Sequence, residues 1–579
     1  MFSSLSELFM HVSPHRRRQI GPVLGLMFAG AIAEVVSLGA ILPFLSVVTS
    51  PHEAVASSRL RPLLDFFSLD TPLRIIVAAT IGFAISAVVA AVVRLRLVWV
   101  SQKFIYGVAE ELSISIYHKT LCQPYSHHTE SNSSDTFAAI NKAQLITTQL
   151  LVPQMQALIA IVISLFILGG LIFIDTTVAI GSGLGFAAIY LAVMRFTRKK
   201  MRLNGAIIAQ AQAERVQAAS EGLGGIRDIL LDRSQPVFVT RFAAIEGALR
   251  NAQASNNFVG QAPRFIVEGL GLVLIAALAL MLSLREGGLV GAVPVLGVLA
   301  LGAQRLLPLL QQIFTGWATM MNNGRMLQDI LDILRLPDSK HVSEFEGGAL
   351  HFERAIALEN VSFSYPAGGV MAIKDVSLTL PKGARVGFIG KTGSGKSTLM
   401  DLILGLLTPT NGRIMIDDTA LTDMNRAAWQ ARIAHVPQAI YLSDATISEN
   451  IAFGVPLSQI NIERVREAAK KADLSEVIDT LPQGYNTFVG ERGIRLSGGQ
   501  RQRIGIARAL YKQADVLIFD EATSALDNDT ENSVMNAIEE LDRSFTMLII
   551  AHRTSTVENC DFSVRLNSGQ LELHTKPNE

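Results

Sequence analysis

Only two cysteines occur in 579 residues, Cys122 and Cys560. Both fall in segments that read as cytoplasmic, which argues against a disulfide framework. An excess charge of either sign is missing too: 50 basic residues balance 50 acidic ones, so nothing suggests a surface for nucleic acid or another polyanion. Charged residues make up only 17% of the chain against 49% hydrophobic, and the mean hydropathy is +0.35. That is high for a soluble enzyme, and the chain is too long for one compact core. The apolar excess lies before residue 320, so a membrane half should precede a soluble half.

Six apolar stretches in that half are long enough to cross about 30 Å of hydrocarbon. They are read at 21–48, 74–98, 150–174, 177–197, 258–283 and 289–314. The first is too long for a signal-peptide core and lacks a cleavage site. Before it, Phe2, Leu5, Leu8, Phe9 and Met10 followed by His15, Arg16, Arg17 and Arg18 fit an amphipathic segment on the cytoplasmic membrane surface. An even number of spans returns the soluble half to the cytoplasm. The positive-inside rule agrees, because Arg195, Arg198, Lys199, Lys200 and Arg202 follow the fourth span while the outer turns near Asp175 and Arg285 are almost free of Lys and Arg.

The two cytoplasmic connections, 99–149 and 198–257, are long and helical in pattern. The outer connection from Thr49 to Pro72 carries Leu60, Leu63, Leu64, Phe66 and Phe67. Those residues form an apolar face for a short surface helix, or pack on the first two spans. Residues 336–350 are polar with two glycines and read as a linker. The expected organisation is a membrane domain at 1–335, this linker, and a soluble domain at 351–579.

The soluble domain is organised around Val386–Leu399, VGFIGKTGSGKSTL. An apolar strand runs into Gly390, Lys391, Thr392, Gly393, Ser394, Gly395, Lys396, Ser397 and Thr398, and a helix-spaced segment follows. This is a P-loop in its strand-loop-helix setting. The glycines let successive N–H groups point at phosphate oxygens while the helix N-terminus adds its dipole. Lys396 is expected to reach the β- and γ-phosphates, and Ser397 to ligate Mg²⁺. About a hundred residues on, the apolar strand Val516–Phe519 ends in Asp520 and Glu521. Two acids capping a buried strand are costly unless a cation or a water uses them. Asp520 is expected to hold the Mg²⁺ shell, and Glu521 to polarise the attacking water.

With Leu496-Ser497-Gly498-Gly499-Gln500 added to these two motifs, the chain resembles an ATP-binding cassette protein from 352 to 569. The resemblance implies that Tyr365 stacks on adenine and that Gln438 is the Q-loop glutamine, which joins Ser397 and Asp520 around Mg²⁺. It implies that His552 is the switch histidine, catalytic with Glu521, and that Ser524–Asp527 is the D-loop. It also implies that Ser497, Gly498, Gly499 and Gln500 close over the ATP of a second cassette, and hence that the chain works as a homodimer. The long cytoplasmic extensions resemble the exporter fold, whose coupling helices would fall near His127–Asp135 and Arg233–Phe242. The implied fold is a six-helix exporter-type membrane domain joined to an α/β P-loop cassette.

Glu34 in the first span, Arg264 and Glu268 in the fifth, and Arg305 in the sixth are ionisable residues at positions where each charge costs about 2.5–3.5 kcal/mol. Such groups face a cavity or one another, and Arg264 and Glu268 share a helix face. Ala262-Pro263-Arg264 with Glu268-Gly269, followed by Arg305-Leu306 and Pro308, resembles the PglK-type flippases of lipid-linked oligosaccharides. That likeness implies a substrate cavity in which Arg264 and Arg305 engage a pyrophosphate, with Arg94 and Arg96 as further candidates. The sequence reading is therefore an ATPase that exports or flips an amphiphile, such as a lipid-linked oligosaccharide, across the bacterial cytoplasmic membrane. Within transport, the alternative cargo is a lipid, peptide or drug. A channel or regulator on the same fold is the alternative class. Six spans exclude a soluble cassette acting on DNA or ribosomes.

Overall fold

The computed structural model describes residues 2–40, 44, 71–130, 142–174, 176–283, 288–337, 350–365, 371–520, 544–551 and 557–575. The Thr49–Pro72 loop and the 336–350 linker therefore lie almost entirely outside the described residues, and Glu521, Ser524–Asp527 and His552 lie wholly outside them. The chain divides into two compact units, 1–123 with 130–338, and 124–129 with 339–579.

The first unit is helical. In chain order its helices are α1 (Phe2–Met10), α2 (Pro14–Arg18), α3 (Ile20–Gly39) and α4 (Pro72–Leu121). A short α5 (Tyr125–Glu130) begins within the second unit. Then come α6 (Val152–Ile174), α7 (Thr176–Gly224), α8 (Ile226–Leu231), α9 (Gln235–Ser283), α10 (Gly288–Asn322) and α11 (Gly324–Leu334). Each of the six expected spans falls on one long helix. The described part of the first reaches only Gly39, α6 stays within its expected bounds, α9 begins well before its expected start, and α4, α7 and α10 run past both expected ends. At 50 residues, α4 is about 75 Å long, more than twice the hydrocarbon thickness. The apolar run thus continues as a helix well beyond any bilayer. Among the described residues, Pro14–Ser37, Leu73–Leu121 and Lys142–Ile172 are long and apolar enough to span a membrane.

Polar side chains tie α7, α9 and α10 together. Asn204 on α7 donates to Asn256 on α9 at 2.8 Å, and Asn256 donates to Asn322 on α10. Gly205 lets α7 and α10 approach this closely, since a Cβ there would sit 2.2 Å from the Asn322 carbonyl oxygen. Pro263 interrupts the hydrogen-bond ladder of α9. Nearby, Gln311 donates to the Gly260 carbonyl at 2.8 Å.

The amino-terminal segment differs from its expected role as a membrane-surface helix. Its apolar side is used inside the protein: Leu8 and Val12 are buried in a cluster with Leu327, Ile330, Leu331 and Leu334 of α11. Arg335 donates to both carboxylate oxygens of Glu7, at 2.7 and 2.8 Å. The sequence period was right for an amphipathic helix, but its apolar face had a protein partner 320 residues away.

The second unit holds two sheets. A four-stranded antiparallel sheet has the order β2-β1-β4-β5, built from β1 (Ala355–Ser364), β2 (Met371–Pro381), β4 (Asn411–Ile416) and β5 (Thr419–Ala420). A six-stranded sheet has the order β10-β9-β3-β8-β7-β6. Its strands are β3 (Arg385–Ile389), β6 (Ile433–Val436), β7 (Val516–Asp520), β8 (Thr546–Ile550), β9 (Phe562–Asn567) and β10 (Gln570–Thr575). All its pairings are parallel except β9 with β10. The central strands read as unbroken apolar runs, as burial on both faces requires. Three helices carry the argument below: α12 (Lys396–Ile403), α13 (Arg426–Arg432) and α14 (Gly498–Tyr511). The core between the sheets is centred on Phe388, Leu399, Trp429, Ile518 and Leu548. Trp429 is fully buried, donates to the Ile403 carbonyl at 2.7 Å and meets Phe352 edge-on. It thereby anchors the end of α12.

Candidate nucleotide site and membrane charge cluster

Parallel pairing in register brings four distant segments to one edge of the six-stranded sheet. Phe388 in β3 pairs with Ile550 in β8, Ile550 with Asp520 at the end of β7, and Phe519 with Val436 at the end of β6. The loop 390–395, Asp520 and the segment carrying Gln438 therefore all emerge at the carboxyl ends of adjacent strands. Ligands of open α/β sheets bind at this edge.

The loop itself is a tight cradle. Gly393 and Gly395 have φ of +80° and +100°, where a side chain is strained. A Cβ on Gly395 would lie 2.6 Å from the Ala372 carbonyl oxygen of β2, and one on Gly390 would lie 2.4 Å from the Leu566 carbonyl oxygen. Lys396, largely buried, folds back so that Nζ donates to the carbonyls of Gly390 and Lys391 at 2.7 and 3.2 Å. Among the described residues, the buried Ser394 hydroxyl has no hydrogen-bond partner. A cradle of this shape, with an ammonium across it and an unsatisfied hydroxyl within it, suits phosphate oxygens.

Tyr365, at the end of β1, stands half-exposed with its hydroxyl 3.2 Å from the Thr398 hydroxyl and its ring edge-on to Phe363. Burial and the charge of Asp520 push the Asp401 carboxyl up to about 6. Tyr125, on α5, has its phenol raised by burial and by the charges of Asp401 and Tyr365. Asp401 and Tyr125 belong to this neighbourhood and escaped the sequence reading. An acid five residues after the P-loop lysine was the one available signal.

Ser497 is exposed and caps α14: its hydroxyl accepts from Gln500 N at 3.2 Å, while the Gln500 side chain accepts from Ser497 N at 2.9 Å. The Ser-x-x-Gln spacing of a capping box was legible in the sequence. Ser497 and Gln500 each spend a side-chain oxygen on the cap, while Ser497 and Gly498 remain exposed.

In the membrane unit, the expected pair of Arg264 and Arg305 is divided. Arg264 is exposed and donates to Glu268 one turn away at 2.9 Å. Arg305 instead donates to Glu34 at 2.7 Å, and Arg94 donates to the other oxygen of Glu34 at 2.5 Å. The alternative that the sequence left open for Arg264, pairing along its own helix, is the observed one. Arg96 lies over the Trp99 ring at 4.7 Å. Convergence of Glu34, Arg94 and Arg305 was missed because they lie 60 and 271 residues apart.

The ABC transporter family profile matches residues 373–524, which include the P-loop, Gln438, Ser497–Gln500 and Asp520. A solved structure described as a bacterial Atm1-family ABC exporter with ATP bound superposes with a TM-score of 0.78 at 22% identity, covering 97% of this chain and 96% of that one. The chain has the fold of an ABC exporter half-transporter. Among curated proteins, the ATP-dependent lipid A-core flippase of Ralstonia nicotianae is 35% identical over 369 residues, 62% of this chain and 60% of that protein. The protein of the same name from Alkalilimnicola ehrlichii is 28% identical over 552 residues, 92% of this chain and 90% of that protein. The alignments to the first such relatives, from Ralstonia nicotianae and Bordetella avium, span 60% and 64% of their length. These relatives carry the name of lipid A-core flippases rather than of PglK-type oligosaccharide flippases.

Proposed function

We propose that this half-transporter hydrolyses ATP to export or flip an amphiphilic substrate across the membrane. The observation that carries the reading is the convergence of the P-loop, Asp520 and the Gln438 segment at one sheet edge, on a chain whose other unit is an exporter-type helical domain. The loop amides and Lys396 bind the ATP phosphates, with Tyr365 beside the base. Ser397, Gln438 and Asp520 hold Mg²⁺, which when bound neutralises phosphate charge. Glu521 orients the attacking water and His552 assists it.

Two copies form the working unit. Support comes from the exposed Ser497 end of α14 in the single chain, which a second cassette closing on the first would meet. The compartment is the bacterial cytoplasmic membrane, with the cassette inside.

The finer reading of the substrate is a lipid-linked oligosaccharide, supported by the Pro263, Arg264, Glu268 and Arg305 pattern. The names of the curated relatives favour a second cargo, a lipid A-like glycolipid. Purified protein in proteoliposomes, supplied with ATP and Mg²⁺, should move a lipid-linked oligosaccharide between leaflets while hydrolysing ATP. Turnover with movement of lipid A alone would replace the finer reading, and absence of ATP-dependent movement of any amphiphile would remove the coarser one.

A further inference from the structure

We infer that the β9–β10 hairpin turn is a positioning element for the phosphate loop, with Gly569 as the residue that holds the back of the loop; the inference rests on reading residues 390–398 as the ATP phosphate site. Asn567 pairs with Gln570, which leaves Ser568 and Gly569 as a two-residue connection. Both have positive φ, +48° and +83°. That is the type I′ arrangement, which matches the twist of a hairpin and favours glycine at its second position.

Backbone groups alone join this turn to the loop. Strand β9 pairs in parallel with β3 as far as Ile389 and Arg565, then continues while β3 gives way to the loop. At the start of the loop, the Leu566 carbonyl oxygen fills the space that a Cβ on Gly390 would need. At its end, Gly569 N–H donates to the Ser394 carbonyl at 3.0 Å, and the Gly569 carbonyl accepts from Lys374 N of β2 at 2.8 Å. The Ala372 carbonyl oxygen of β2 is wedged between the two segments, because a Cβ on Gly395 and one on Gly569 would each lie 2.6 Å from it. None of these groups can rotate away as a side chain would.

The Ser394 contact has a chemical consequence. The Ser394 carbonyl and the Gly395 N–H share one planar trans peptide, so they point in opposite directions. Tying the carbonyl back to Gly569 aims the Gly395 N–H away from the hairpin and into the cradle, where N–H groups of this kind hold phosphate oxygens. A turn that does not itself face the nucleotide thereby sets the direction of one of its donors.

The test uses the full-length protein in nanodiscs, with binding of a fluorescent ATP analogue measured beside steady-state ATP hydrolysis. Gly569→Ala should weaken binding about 10- to 100-fold, the worth of one hydrogen bond to a charged phosphate. KM should rise with it while kcat at saturating ATP stays within a few-fold, because the change reaches neither β7 nor the Gln438 segment. Gly454→Ala is the control for strain, since φ is also +83° there but nothing lies within 4 Å of its Cβ. It should lower thermal stability and leave ATP affinity unchanged. Gly569→Asn carries the same Cβ on a residue type that tolerates positive φ, so it reports if Gly569→Ala fails to fold. In the wild type, ATP should also slow hydrogen exchange at residues 567–570, a readout that needs no variant. Unchanged affinity in a folded Gly569 variant overturns the inference, as does an equal loss in Gly454→Ala or a turn that ATP does not protect. Lys396→Ala keeps this apart from failure of the site reading. Binding lost there but intact in the Gly569 variants removes the brace alone, whereas binding indifferent to Lys396 removes the site reading and the brace with it.

Discussion

Replacing Gly395 by alanine tests whether the P-loop owes its shape to the absence of one carbon. At φ +100° an L-residue is strained by about 1–2 kcal/mol. The added Cβ would also lie 2.6 Å from the Ala372 carbonyl oxygen and 3.0 Å from Ile373 Cδ1. That oxygen belongs to β2, whose Ile373 pairs with Phe363 and whose Lys374 N donates to the Gly569 carbonyl. It cannot turn aside as a side chain would. Relief requires a backbone shift, worth about 1–3 kcal/mol on the scale of overpacked cores, for a total of about 2–5 kcal/mol. Gly393→Ala is the internal control, because φ is +80° but nothing lies within 4 Å of its Cβ, so only the strain of about 1–2 kcal/mol applies. Hydrogen exchange of peptides spanning β3 and α12 in the full-length protein reads both costs locally. Gly395→Ala should lose about 5- to 150-fold more protection than Gly393→Ala, since each 1.4 kcal/mol is a factor of ten. Nucleotide binding should weaken in the same order. Equal protection in the two variants would refute the contact argument, and no loss in either would refute the strain argument as well.

Glu521→Gln should retain ATP binding, because the loop and Asp520 remain, and should lose about 10²–10⁴ in turnover as measured by phosphate release; near-normal turnover would remove Glu521 from the mechanism. A mixed dimer of Lys396→Ala and Ser497→Arg chains should keep one intact composite site, and a nucleotide count showing two equally impaired sites would contradict that arrangement. The Asp417 carboxyl is held below its usual range. Burial raises it, but the backbone N–H groups of Ala355, Glu353 and Arg354 together outweigh burial. Because the folded value is depressed, its contribution is present above about pH 4 and is lost as pH falls through the folded value. Asp417→Asn should therefore destabilise the cassette at pH 7 and progressively less as the pH falls below about 4, and a pH-independent difference in thermal unfolding would show the ionised form to be irrelevant.

Local chemistry made much of this protein legible in advance. The P-loop, the Ser497 cap and the Arg264–Glu268 pair each depend on residues within about a turn or a loop of one another, so spacing alone determines which groups meet. The six spans were equally legible, because a bilayer demands long apolar runs whatever they pack against. What only the tertiary structure decided is the partner of each long-range group. Leu8 met α11 rather than lipid, and Asp401 came under the charge of Asp520 through strand order. Glu34 chose Arg94 and Arg305 because three helices converge there. A carboxylate on one helix specifies that a cation must neutralise it. It does not specify which, since that depends on how helices separated by hundreds of residues turn their faces to each other.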